Sequence, residues 1–179
     1  MRIIAGSHRG RTLIAPKDRT VRPTTDRIRE ALFSKLDAMG VIADARVLDL
    51  FAGTGALGFE ALSRGAAHVT AVEQAPSSIR LITDNTKALG LENALTLLRK
   101  DATKPLSLPH PATLVFCDAP YGKGLTEPAL MAQRPALENC VCVVELDKRE
   151  SFEAPDGYAC EDERVYGDTK LVFLQTITG

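Results

Sequence analysis

The chain has 179 residues, of which 45% are hydrophobic and 25% charged, and its formal net charge is −1. This length and composition predict one globular domain with its own core, and they exclude a disordered chain or a membrane-spanning protein. Residues 1–35 hold nine Lys and Arg against three Asp and Glu, a net charge of +6, whereas the rest of the chain carries −7.

The basic N-terminal part, residues 1–23, is predicted to be an arm that contacts a polyanion. The segments "RIIA" and "RTLIA" flank the glycine-bounded turn "GSHRG" and predict a small β-hairpin over residues 2–15. Arginine suits bidentate phosphate contacts. The candidate nucleic-acid contacts are Arg2, Arg9, Arg11, Lys17, Arg19 and Arg22.

A helix is predicted after this arm. Thr24 or Thr25 is a suitable N-cap, and Gly40 ends the helix. The spacing of its apolar residues predicts one buried face, made of Ile28, Ala31, Leu32, Leu36 and Met39.

From residue 46 onward, predicted strands alternate with predicted helices, which favours an α/β fold with right-handed crossovers and a mostly parallel sheet. Pro135 breaks a helical stretch at 127–137. The chain ends in a predicted antiparallel hairpin, 158–165 with 169–177, so the whole chain is interpreted as one domain. The predicted strands before it are 46–51, 68–73, 94–102, 113–121 (a strand with its following loop) and 140–147, and the helices are 56–65 and 75–90.

The segment "LDLFAGTGALGFEAL" places Gly53, Gly55 and Gly58 in the spacing GxGxxG between a strand and a helix, which is typical of a nucleoside-cofactor site. Glu73 follows the next strand and is a candidate to bind ribose hydroxyls. Asp49 precedes the loop, and a carboxylate there suits a cation better than a pyrophosphate. S-adenosylmethionine, with its sulfonium and ammonium groups, is therefore favoured over NAD.

Four acids follow or nearly end successive strands, so they are expected to line one crevice at the carboxyl edge of the sheet: Asp49, Glu73, Asp101 and Asp118. Asp101 is expected to lie near the adenine of the cofactor.

The segment "CDAPYG" after the fourth strand predicts a site for a base amine. The Asp118 carboxylate and the Ala119 carbonyl are suitable acceptors for the two N–H groups of the amine. Pro120 stiffens the loop, and Tyr121 offers a ring on which the base stacks. The predicted chemistry is direct methyl transfer that relies on positioning and electrostatics, without a metal.

The segments "MRIIAGSHRGR", "RPTTDRIREALF", "VLDLFAGTGALGFEALSRGA", "DAPY" and "RVYGDTKL" resemble the bacterial RsmD-type 16S rRNA guanine-N2 methyltransferases almost end to end. The resemblance implies a Rossmann-like class I methyltransferase fold, with a seven-stranded sheet whose last strand is antiparallel and helices on both faces. It implies S-adenosylmethionine as donor and, as acceptor, a guanine N2 amine (966 in rRNA numbering) in the small ribosomal subunit.

The resemblance also implies roles for single residues. It places Asp118 and Tyr121 at the target guanine. It places Asp49, Phe51, Gly53 and Gly55 at the cofactor, with Glu73 on the ribose and Asp101 near the adenine. Ala52 and Ala102 are further candidates to line the cofactor, and Ala119 and Pro120 complete the candidate catalytic corner. The family usually has proline at the position of Ala119, so some rigidity of this loop is expected to be lost while its carbonyl is kept.

Two further interpretations stay open. Thr25 and Arg27, at a helix start, are candidates to hold the cofactor's carboxylate, or they belong to an ordinary capped helix. The alternative functions are an adenine-N6 methyltransferase, a non-catalytic rRNA-binding homologue and an NAD oxidoreductase. The N-terminus lacks a secretory signal, and the four cysteines without a CxxC pair and the three scattered histidines predict a cytoplasmic protein with reduced thiols and no metal site.

Overall fold

The structure, a computed structural model, describes residues 1–16 and 25–177. In these residues the helices are α1 (Asp26–Met39), α2 (Ala56–Ser63), α3 (Pro76–Leu89) and α4 (Thr126–Gln133), with a 3₁₀ turn at Arg134–Ala136. The strands are β1 (Arg46–Leu50), β2 (His68–Val72), β3 (Leu95–Leu98), β4 (Leu114–Cys117), β5 (Val141–Asp147), β6 (Tyr158–Tyr166) and β7 (Thr169–Thr176).

The strands form one seven-stranded sheet in the order β3-β2-β1-β4-β5-β7-β6. Every pairing from β3 to β5 is parallel, while β7 runs antiparallel to both β5 and β6. The predicted fold class and the terminal hairpin are thereby confirmed. The chain reverses its direction of strand addition between β1 and β4, which is where α/β sheets bind ligands.

Helices cover both faces of the sheet, as predicted. One face packs with α1, α2 and α3 around Phe33, Phe59, Phe116 and Phe173. The other face packs with α4 around Leu130, Val144 and Leu174. The break predicted at Pro135 is also present, because α4 gives way to the 3₁₀ turn at Arg134. None of the helices in the described part of the chain is long and apolar enough to cross a membrane.

Helix α1 begins and ends as its sequence predicts, but one residue of its buried face was predicted wrongly. The Thr25 hydroxyl accepts a hydrogen bond from the backbone N–H of Ile28, and Gly40 closes the helix at φ 69°. The buried residues are Arg29, Leu32, Phe33 and Leu36, whereas Met39 is 40% exposed. Periodicity assigns apolar residues to the core and misses Arg29, whose charge is neutralised locally by Asp26 at 3.1 Å.

The N-terminal segment packs into the domain core. Its predicted hairpin is reduced to a single antiparallel bridge between Arg2 and Thr12. Ile3 and Leu13 are each only 2% exposed and join the core on the side of the first three helices.

Two side chains of α2 satisfy the backbone of this segment. The buried carboxylate of Glu60 accepts hydrogen bonds from the N–H groups of Ile4 and Ala5 at 2.8 and 3.1 Å. The Ser63 hydroxyl donates to the Ala5 carbonyl at 2.5 Å and accepts from the His8 N–H at 2.9 Å. The turn "GSH" is therefore held against the end of α2.

Replacing Gly6 with alanine is expected to destabilise the protein far more than replacing Gly10. Both glycines have left-handed backbone, at φ 82° and φ 80°, so both changes carry a similar strain of about 1–2 kcal/mol. A Cβ on Gly6 would lie 1.8 Å from the Ser63 carbonyl oxygen, whereas a Cβ on Gly10 meets nothing within 4 Å in the described part of the chain. Denaturant unfolding of G6A and G10A measures the difference, and equal losses of stability would show that the segment does not pack on Ser63.

Candidate active site

The acids predicted from strand ends lie at one edge of the sheet. Asp49 is the fourth residue of β1, and Glu73, Asp101 and Asp118 follow β2, β3 and β4. Because these strands are parallel and adjacent, their carboxyl ends lie side by side. The four acids therefore share one edge of the sheet, and their lining of one ligand crevice stays a prediction.

Strand alternation places Asp49, Asp118 and a third acid, Glu145, on the same face of the sheet. Asp49 pairs with Phe116, and Phe116 pairs with Val143. Asp118 and Glu145 each lie two residues beyond those partners, so they are neighbours across β4 and β5. Glu145 is only 7% exposed.

The glycine loop between β1 and α2 turns tightly. Phe51, Gly53 and Gly55 all have positive φ values, of 59°, 58° and 79°. The turn is fixed by backbone hydrogen bonds from Ala52 N–H to the Val72 carbonyl at 2.9 Å and from Gly55 N–H to the Ala52 carbonyl at 2.8 Å. Among the described residues, the nearest atom to a Cβ on Gly53 would be the Phe51 carbonyl oxygen at 3.9 Å, so this side of the loop is not packed against the core.

The other two glycines are required by packing below the loop. A Cβ on Gly55 would lie 2.7 Å from the ring of the buried Phe59. A Cβ on Gly58 would lie 2.9 Å from Val69 and 3.4 Å from Oδ2 of Asp49. Gly58 therefore allows the first turn of α2 to lie against the Asp49 carboxyl.

Asp49 is an acid buried without full compensation. It is 2% exposed, and its Oδ2 has no hydrogen-bond partner among the described residues. Burial raises its pKa to about 7, the Gly58 backbone hydrogen bond partly opposes this rise, and the charge of Glu73 adds to it. A cationic ligand at this edge would supply the missing counter-charge.

Glu73 links the glycine loop to the start of α3. One oxygen accepts from the Gly53 N–H at 2.8 Å, and the other accepts from the N–H groups of Gln74 and Ala75, both at 2.8 Å. An ionised carboxylate has about four acceptor positions. Three are used here, so Glu73 keeps acceptor capacity for a hydroxyl of a ligand.

Asp101 is held in a capped turn after β3. Its carboxylate accepts from the N–H and the hydroxyl of Thr103 at 2.9 and 2.7 Å, and these bonds lower its pKa. Ala102 is buried, and its carbonyl accepts from the Gln133 amide at 3.0 Å. Gln133, at the end of α4, is 1% exposed and also binds Lys104 and Leu106, so it fixes the whole loop.

The corner at residues 118–121 combines a carboxyl with raised proton affinity and an anchored tyrosine. Burial raises the pKa of Asp118 well above its usual range, and the charges of Glu145 and Asp49 add to this. The Tyr121 hydroxyl donates to Oε1 of Glu145 at 3.0 Å. Ala119 is buried, whereas Pro120 is exposed.

Glu145 and Gln133 were missed by sequence reasoning. Glu145 lies within the apolar run "CVCVVELD", where an acid on a central strand is unusual. An acid in this run is itself a signal of a special role. Its hydrogen-bond partner Tyr121 is distant in sequence, so the sequence does not show what that role is.

The other predicted site residues lie at the start of α1 and in the N-terminal segment. Thr25 and Arg27 are exposed at the start of α1. Arg2 and Arg9 line a cavity of about 300 Å³ together with Asp26 and Glu30. Arg11 is exposed, and its guanidinium donates to the Ala88 carbonyl at 2.8 Å. Three predicted residues lie outside the described part of the chain: Lys17, Arg19 and Arg22.

The described residues form neither a cluster of metal-binding side chains nor a pair of bonded cysteines. No group of three or more His, Cys, Asp or Glu residues there is arranged to hold a metal ion. Within that part of the chain the cysteines are free thiols, three of them buried (Cys117, Cys140 and Cys142) and one exposed (Cys160).

Comparison with known proteins agrees with this geometry. A family described as "Conserved hypothetical protein 95" matches residues 1–175. The ribosomal RNA small subunit methyltransferase D of Escherichia coli K12 is 49% identical over 94 residues, which cover 52% of this chain and 46% of that protein. In that alignment the chain therefore spans about half of the relative's length.

Two further matches are nearly full-length. The ribosomal RNA small subunit methyltransferase D of Buchnera aphidicola (subspecies Acyrthosiphon pisum) is 31% identical over 168 residues, 91% of this chain and 86% of that protein. The solved structure of Escherichia coli yhhF, which carries a methyltransferase assignment, superposes with a TM-score of 0.84 at 33% identity, over 98% of this chain and 97% of that one. The chain belongs to the family of RsmD-type methyltransferases and has their Rossmann-like fold.

Proposed function

We propose that this protein transfers a methyl group from S-adenosylmethionine to the N2 amine of a guanine in small-subunit rRNA, at the position numbered 966 in rRNA. The observation that carries the proposal is the buried Asp49 carboxyl with its unpartnered Oδ2, on the same sheet edge as the Asp118–Tyr121 corner. The names of the relatives supply the class of acceptor, small-subunit rRNA.

The residues at this edge fit a cationic adenosyl donor. The buried Asp49 carboxyl has an oxygen without a hydrogen-bond partner in the described part of the chain, and a cationic donor would favour its ionised form. Glu73 and Asp101 are the proposed acceptors for ribose hydroxyls and the adenine amine, with Phe51, Ala52, Gly55 and Ala102 lining the same loops. Once bound, S-adenosylmethionine supplies a methyl carbon on a sulfonium, which is already an activated leaving group.

The 118–121 corner has the properties needed to hold a base amine. Asp118 and the Ala119 carbonyl are proposed to accept the two N–H groups, which directs the nitrogen lone pair away from the ring plane and toward the methyl group. The Tyr121 ring is proposed to stack on the extruded guanine, since such stacking contributes roughly 1–3 kcal/mol per base.

Asp118 is also the proposed acceptor of a proton. When the amine nitrogen forms its bond to carbon, it gains a positive charge and must lose a proton. Burial and the neighbouring acids Glu145 and Asp49 raise the pKa of Asp118, which strengthens its carboxylate as a base.

The basic N-terminal part is the proposed contact for the rRNA backbone. Arg2, Arg9 and Arg11 are exposed, so they are available to phosphate groups. The same role is proposed for Lys17, Arg19 and Arg22.

Methyl transfer to defined RNA substrates tests the proposal. Small subunits and naked 16S rRNA from a strain that lacks this modification are incubated with tritiated S-adenosylmethionine, with fully modified subunits as the control. We expect label only in unmodified substrate, and mass spectrometry of the nucleosides to give N2-methylguanosine. N6-methyladenosine as the product would replace the guanine assignment. RNA binding without any label would identify a non-catalytic homologue.

A further inference from the structure

Glu145 is a buried acid on an apolar strand of the sheet, and it hydrogen-bonds the tyrosine of the 118–121 corner. It lies on β5 between Val144 and Leu146 and is 7% exposed. Its Oε1 accepts the Tyr121 hydroxyl at 3.0 Å. A buried acid costs stability unless it is paired, so its presence on a central strand indicates a role beyond packing.

The Tyr121 hydroxyl is held from two strands. Besides Glu145 on β5, it hydrogen-bonds the side chain of Thr169, a 2% exposed residue at the start of β7. Thr169 on β7 pairs with Asp147 on the adjacent strand β5, and Asp147 lies two residues after Glu145 on that strand. Two strands that follow the 118–121 corner in sequence therefore hold the tyrosine of that corner.

Glu145 also lies next to Asp118. The β4–β5 register makes the two acids neighbours on one face of the sheet. Their charges interact, since Glu145 is the main charged group that raises the proton affinity of Asp118.

We propose that Glu145 is a positioning residue of the transfer site: it fixes the ring of Tyr121 against which the base stacks and maintains Asp118 as acceptor of the proton that the amine releases. This inference rests on the proposed function. The proton balance is simple. The nitrogen lone pair forms the N–C bond, the C–S bond breaks with its electrons going to sulfur, and the N–H proton passes to the Asp118 carboxylate.

Other titratable and charged groups near Asp118 also affect its protonation. Asp49 on β1 adds a second negative charge. Cys117 on β4 is adjacent and buried, and Tyr121 belongs to the same loop. On β7, Lys170 directs its ammonium group to the Glu150 carbonyl at 2.7 Å.

Two variants separate the roles of Glu145. E145Q keeps an oxygen that accepts the Tyr121 hydroxyl but removes the charge beside Asp118. We expect the acid limb of its kcat–pH profile to move to lower pH and kcat at pH 8 to fall about tenfold, with KM for RNA within about twofold. Y121F keeps the ring but removes the donor, and we expect KM to rise about fivefold with the acid limb unmoved.

E163Q is the matched control. Glu163 is an exposed residue on β6 of the same sheet, so its replacement should leave KM and the pH profile unchanged. If E145Q instead lowers kcat and raises KM with an unmoved acid limb, Glu145 is merely structural and the inference is wrong.

A second measurement keeps the inference testable if the wild type transfers no methyl group to any rRNA. Carboxyl ¹³C NMR of aspartate-labelled protein follows the titration of Asp118 directly. The midpoint for Asp118 should fall in E145Q and stay in place in E163Q. An unchanged midpoint in E145Q would overturn the inference, whereas absent transfer with a shifted midpoint would count only against the proposed function.

Discussion

Replacing Asp118 with alanine is expected to reduce methyl transfer by about a thousandfold or more, while S-adenosylmethionine binds within about twofold of the wild type. The change removes both an acceptor that grips the amine and the group that takes its proton, and a positioned general base alone contributes typically 10²- to 10⁴-fold. Donor binding should persist because its proposed contacts lie elsewhere, Asp49 on β1 and Glu73 directly after β2. Single-turnover transfer of a tritiated methyl group, with calorimetry for donor binding, measures both quantities.

Asp118→Asn divides this loss into its parts. The asparagine oxygen still accepts an N–H but takes up no proton at neutral pH, so D118N should lie between the wild type and D118A. Asp44→Asn is the control, because Asp44 is exposed and precedes β1 at the opposite edge of the sheet. If D118A transfers methyl groups as fast as D44N, the corner is not the amine site and a different acceptor must be sought.

Much of the fold could be predicted because its signals are local. Gly40 and Gly90 end helices in left-handed conformation, and Thr25 caps α1. The alternation of apolar strands with amphipathic helices predicts parallel crossovers, and parallel strands bring their following residues to one edge. Asp49, Glu73, Asp101 and Asp118 were therefore predicted together from strand ends alone.

The supporting contacts could not be predicted because they join residues distant in sequence. Glu145 meets Tyr121 across 24 positions, and Gln133 reaches the Ala102 carbonyl across 31 positions. The N-terminal segment was predicted to be a basic arm, yet Glu60 binds its backbone across more than 50 positions. Such contacts depend on helix packing and on strand register, which periodicity does not determine.

The second large effect that we expect concerns stability: Asp49 should make the ligand-free protein less stable as pH rises. The folded state holds the Asp49 proton up to about pH 7, whereas an unfolded aspartate loses it near pH 4. Between these values the folded state binds more protons, so the free energy of unfolding falls as pH increases. Chemical unfolding should show a loss of about 2 kcal/mol from pH 5 to pH 8, and D49N should show a smaller loss.

The donor should weaken this dependence of stability on pH, since a cation beside Asp49 favours the ionised carboxylate. Saturating S-adenosylmethionine should raise Tm more at pH 8 than at pH 6, and D49N should bind it about tenfold more weakly at pH 8. Asp84→Asn, on the exposed side of α3, is the control and should keep the wild-type pH dependence. The raised pKa of Asp118 also makes the free energy of unfolding fall as pH rises, so D49N keeps part of this pH dependence. A donor-induced rise in Tm that is equal at both pH values would mean that no cationic group of the donor lies beside Asp49.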